Sequence, residues 1–167
     1  MLKHAFVALL SVAFISTASA QTGGGPAVTM NDRMAALHAI NMPPDGRMRV
    51  MNACDERVAP QFLPANIGGP VGTALVVVVG GGENSATCYG DGPGLLFVLK
   101  REGANFRVIF QGQGFLSILP STHSGAHDLS IGGPGFTFPV YTWNGHEYTL
   151  SARSISDTQF GEGQTLP

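Results

Sequence analysis

The sequence predicts an α+β domain in which one N-terminal amphipathic helix packs on a mainly antiparallel β-meander sheet, stapled by one disulfide. Three observations predict it. Of 167 residues, 23 are Gly and 11 Pro while only 12% are charged, a composition of short strands and tight turns. Thr73 to Val79 (TALVVVV) is continuous and β-branched, as a central strand covered on both faces would be. Met34, Leu37 and Ile40 recur at helical spacing, with Arg33 and His38 off that face.

The elements follow in chain order. Lys3 and His4 precede an apolar run, Ala5 to Ile15, broken only by Ser11, and Ala18-Ser19-Ala20 is a cleavage signature. Residues 1–20 therefore read as a signal peptide, with a mature chain from Gln21 that is secreted or periplasmic and not inserted in a membrane. Residues 21–28 are Gly-rich and read as a flexible leader. The single domain is expected over 29–153, starting with the helix, which Asn31 would cap and Pro43-Pro44 would stop. Asp45-Gly46 marks a turn, Arg47 to Asn52 a half-buried strand, and Pro60, Pro64 and Pro70 an irregular stretch. Gly80 to Gly94 reads as a long glycine-rich loop.

Leu95 to Lys100 and Phe106 to Phe110 flank a turn containing Gly103. Phe115 to Leu119 is a strand that Pro120 would end, and Leu129 to Ile131 a short one that Gly132-Gly133-Pro134-Gly135 breaks. Pro139 to Trp143 and His146 to Ser151 flank Asn144-Gly145, a strong hairpin signal. Residues 154–167 are polar and read as a loose tail.

Cys54 and Cys88 both lie in the mature part, and in an oxidising compartment an even count reads as a disulfide, with one pairing available. Without Lys3 the mature chain carries eight basic and eleven acidic residues and no basic cluster. Nucleic acid and anionic lipid surfaces are held mainly by clustered Lys and Arg, so neither is an expected partner.

Several segments together resemble a family of small, largely uncharacterised exported proteins of Gram-negative bacteria. They are Asn52-Ala53-Cys54-Asp55-Glu56 with Pro60, then Gly68-Gly69, Cys88-Tyr89-Gly90 and the block from His127 to Leu150. The resemblance implies a single α+β domain with a meandering sheet, some members being similar to calcium-binding FG-GAP-type β-propeller repeats. It implies a compartment and no activity. The loop that holds Ca²⁺ in such repeats is here Asn66 to Gly72, which has no carboxylate, so no calcium is expected there.

Chemistry is sparsely signalled. Val76 to Ser85 runs an apolar strand into glycines, but no helix pattern follows as a dinucleotide fingerprint requires. His123, His127 and Asp128 crowd one stretch, HSGAHD, yet Ser124-Gly125 after Pro120 makes it a turn and not a helix with two imidazoles on one face. A third zinc ligand would have to come from His146 or Glu147. The stretch reads as a polar turn in which Asp128 bonds nearby backbone amides. No G-x-S-x-G elbow is present, and Asp91, Glu102, Asp128 and Glu147 show no pairing pattern for glycoside cleavage. No cofactor and no metal are expected.

The expected function is non-catalytic binding of a protein partner in the envelope through glycine-rich loops, in its concrete form as an inhibitor or immunity factor for a cell-wall-degrading enzyme. Candidate contact residues are Tyr141, Trp143, Asp91 and His123, although alternation of Phe136, Phe138, Tyr141, Trp143 and Tyr148 also suits a core. The alternatives are a small envelope hydrolase using His123, His127 and Asp128, and a structural envelope component.

Overall fold

The computed structural model describes residues 27–82, 85–90, 92–133 and 135–167. The expected signal peptide, most of the expected leader and Asp91 lie outside the described residues. Helix α1 spans Met30–Ala39. Its cap is Thr29 and not Asn31, because Thr29 and Asp32 close a reciprocal box. The Thr29 hydroxyl accepts the Asp32 N–H, and the Asp32 carboxylate accepts the Thr29 N–H, both at 3.1 Å. Ala36 and Leu37 are fully buried and Ile40 closes the helix, while Met34 is only half-buried.

The Asp45 turn is tied by its own carboxylate, which accepts the N–H groups of Arg47 and Arg49 at 2.9 Å and pairs with the Arg49 guanidinium. The Arg49 backbone bond foremost, with the Arg47 amide and the guanidinium, holds Asp45 down at about 2. Of the strand expected over Arg47 to Asn52, only β1 (Val50–Met51) forms, paired with β2 (Arg57–Val58).

The strands are mainly antiparallel, and the single meander expected is split into two sheets. Strands β3 (Gln61–Gly68), β4 (Gly72–Val79), β5 (Leu95–Glu102) and β6 (Asn105–Gln113) follow one another across a four-stranded sheet. Strands β7 (Phe115–His123), β8 (Ala126–Gly132), β9 (Thr137–Trp143) and β10 (Tyr148–Ser156) form a second meander, and β11 (Gln164–Leu166) returns beside β7. Gly114 makes the split possible. It has φ +126, and a Cβ there would overlap the Gly132 carbonyl, so only glycine lets the chain pass from sheet to sheet in one residue.

The two sheets share a core. Val76 and Val78 of β4 and Val98 of β5 pack with Leu116, Leu129 and Trp143 of the second sheet. On the opposite face of β4, Leu75, Val77 and Val79 meet Ala36 and Leu37 of α1 and its C-cap, Ile40. The central strand is thus covered on both faces, as its sequence predicts.

The prolines and the tail depart from expectation. Pro64 sits within β3 because β3 is an edge strand, where a missing N–H costs nothing on the open side. Strand β7 continues past Pro120 to His123, with its pairing to β8 shifted between Ile118 and Thr122. Within the Gly80 to Gly94 loop, Ser85–Tyr89 form a short helix, α2. The segment 154–167 is not a loose tail. Ser156 and Gln159 close a second capping box at helix α3 (Asp157–Gly161), and Phe160 packs on Phe138 at 5.0 Å between ring centroids.

Candidate functional site

Topology divides the loops between two ends of the sandwich. The β3–β4, β5–β6, β7–β8 and β9–β10 turns share one end, where Gly69 lies against Gly125 and the Arg107 guanidinium donates to the His146 carbonyl at 2.9 Å. The Gly80–Gly94 connection and the β8–β9 connection share the other. There the Gly114 N–H donates to the Gly94 carbonyl at 3.4 Å, and Gly114 lies against Gly132. A Cβ on Gly80 would overlap the Pro93 carbonyl, so glycine is what lets these segments cross in contact.

The loop end is clasped. Cys54 and Cys88 form a disulfide with their Cα atoms 5.9 Å apart. Beside it, buried Asn52 accepts the N–H groups of Cys54 and Glu56 at 2.9 Å and donates to the Gly81 carbonyl at 3.4 Å. The Tyr89 hydroxyl accepts the Ala53 N–H at 3.0 Å. Asn52 to Glu56 and Cys88 to Gly90, distant in sequence, are therefore one structural unit. Sequence reasoning found the cysteines and named Asn52 and Tyr89 only within the segments that carry the resemblance, without a role for either.

Large apolar side chains stand in the open at this end. Phe136, just before β9, is 89% exposed, and Phe115, which opens β7 opposite Gly132, is 39% exposed. Tyr141 and Trp143 point elsewhere. Both lie on the inner face of β9, where Tyr141 packs edge-on to Phe110 at 4.7 Å and Trp143, 2% exposed, meets Tyr148 at 5.5 Å. A side chain enclosed between two sheets offers no surface to a partner, which removes Trp143 from the expected contact set. Its indole Nε1 is buried without a hydrogen-bond partner among the described residues.

A polar cluster occupies the outer face of the five-stranded sheet near the turn end. Ser124 and Gly125, with φ 49 and 83, make the tight two-residue turn that pairs His123 with Ala126. Asp128 is 0% exposed, and where the sequence predicts bonds from nearby backbone amides, three side chains among the described residues reach it instead. Ser121 Oγ donates at 2.6 Å, His123 Nδ1–H at 2.6 Å and Arg153 at 3.0 Å. Strand irregularities aim these donors. The shifted pairing of β7 lies beside Ser121, and the bulge of β10 between Leu150 and Ser154 presents Arg153.

The two histidines do not share an acceptor. His127 Nδ1–H donates to the Leu119 carbonyl at 2.7 Å, and the His127 carbonyl accepts the Tyr148 hydroxyl at 2.6 Å. Burial, and then the charge of Asp128, raises Tyr148 well above the ordinary tyrosine range. His146 and Glu147 are in the β9–β10 turn, where Asn144 Oδ1 accepts both of their N–H groups at 2.9 Å. Glu102 is paired with Arg107 at 2.7 Å, which lowers its carboxyl. Comparisons with family models, with curated proteins and with solved structures give no match to this chain.

Proposed function

We propose that the chain is an exported, non-catalytic binding protein that takes a protein partner at its loop end, in its concrete form as an inhibitor or immunity factor for a cell-wall-degrading enzyme. One observation carries the reading: Phe136, a large aromatic, stands 89% exposed between β8 and β9, at the end of the sandwich where Gly132 lies against Gly114. Aromatic side chains presented at the end of a rigid sandwich are the usual anchors of protein interfaces. Export is supported by the disulfide, which persists in oxidising compartments. No helix among the described residues is long and apolar enough to cross a membrane.

The test uses immobilised mature protein and its Phe136→Asp variant, each exposed to periplasmic extract. The proposal expects a protein retained by the first and absent from the second, with both melting alike. Equal retention by both, or by neither, contradicts it.

A second reading, an envelope hydrolase, is favoured by the His123 to Asp128 contact, in which a buried carboxylate orients an imidazole that is 46% exposed. Against it, the nearest hydroxyl in the cluster, Ser121, donates to Asp128 and so is not poised as a nucleophile. His123→Ala with loss of a measured hydrolytic activity, the fold intact, would favour this reading over the first.

A further inference from the structure

A cavity of 120 Å³ opens on the outer face of the five-stranded sheet, between β7, β10 and α3. At about 30 Å³ per water, this is room for about four waters, the size of a very small organic ligand. Leu119, Pro120 and Ile155 give it apolar walls, and Arg153, Gln159 and Glu162 give it polar ones. It lies apart from the loop end and does not depend on the binding reading.

The two charges in this cavity are opposite and do not pair with each other. Arg153 uses one nitrogen on Asp128, and the rest of its guanidinium, 47% exposed, has no partner among the described residues. The Glu162 carboxylate likewise has none among them. Gln159 engages its carbonyl in the α3 capping box, accepting the Ser156 N–H at 3.1 Å, which leaves its amide N–H groups as donors. Asp128 fixes Arg153 from below, so the guanidinium is held in place before any ligand arrives.

We infer that this cavity binds a small zwitterion, an α-amino acid with a short side chain, its carboxylate on Arg153, its ammonium on Glu162 and its side chain against Leu119, Pro120 and Ile155. Each charge of the site repels a ligand of one sign only. A simple anion meets Glu162, a simple cation meets Arg153, and only a molecule carrying both charges satisfies both walls.

The test is titration of the mature protein with alanine, D and L separately, followed by amide shifts of Arg153, Gln159 and Glu162. Saturable shifts are expected from alanine, with affinity about tenfold weaker for Glu162→Gln, a surface change that leaves the fold intact. N-acetylalanine and alanine amide, each lacking one charge, should bind as poorly to the parent as alanine does to that variant. Arg153→Lys keeps the charge near Asp128 while removing the forked donor, and should also weaken alanine. No saturation by about 50 mM alanine, undiminished binding by Glu162→Gln, or equal binding of N-acetylalanine each overturns the inference.

Discussion

The two ends of the sandwich are built by opposite means. At the turn end the chain reverses in as little as two residues, Gly103-Ala104 and Ser124-Gly125, and the turns brace one another through Gly69 with Gly125 and Arg107 with His146. At the loop end the β4–β5 connection is long, and its described residues are tied by a disulfide, buried Asn52, Tyr89 and glycines in contact. Short turns leave little backbone free to recognise anything. Side chains displayed beside such a clasp sit on a firm base, and Phe136, between β8 and β9 at the same end, is 89% exposed.

The contrast can be broken from either side. The largest effect belongs to the clasp: Cys54→Ser with Cys88→Ser releases a bridge of sequence separation 34. Chain entropy puts the loss at about 4 kcal/mol, read by chemical denaturation. Hydrogen exchange should rise at Ala53 and Gly81 and stay unchanged at Ala126. Next is Arg153→Ala, which strips the counter-charge from fully buried Asp128 and should cost about 3 kcal/mol, with exchange rising around β7, β8 and β10 instead.

Asn144→Ala removes two side-chain to backbone bonds from one turn and should cost about 1 kcal/mol, with no effect on the loop end. Tyr148 gives the smallest effect, because it is silent at neutral pH. Its folded-state ionisation is raised, so its contribution is fully present below the unfolded value of about 10 and is lost as pH rises beyond it. Alkaline titration should weaken the parent more steeply above about pH 10 than Tyr148→Phe, measured by denaturant midpoints.

Much of the turn end was legible in sequence, and less of the loop end. Thr73 to Val79 declared a central strand because nothing else buries a continuous β-branched run, and Asn144-Gly145 declared a hairpin, although Asn144 acts through its side chain and not through positive φ. The split into two sheets was hidden because one residue, Gly114, performs it inside an otherwise continuous strand pattern. The C-terminal order was encoded in Ser156 and Gln159, a capping pair at the usual spacing that polar composition masked. Asp128 read as a turn residue bonding nearby backbone amides, since its counter-charge, Arg153, lies 25 residues away and meets it only through the fold. The alternation on β9 was correct and did not say which face was covered, so Trp143 was open to a surface reading that its burial removes.

The most direct test of the account is site-specific photo-crosslinking in cells exporting the protein, with a photoreactive phenylalanine analogue at Phe136 or at His146. The account predicts a discrete crosslinked protein from Phe136 at the loop end and none from His146 in the turn end. The same adduct from both positions, or an adduct from His146 alone, would contradict the assignment of binding to the loop end.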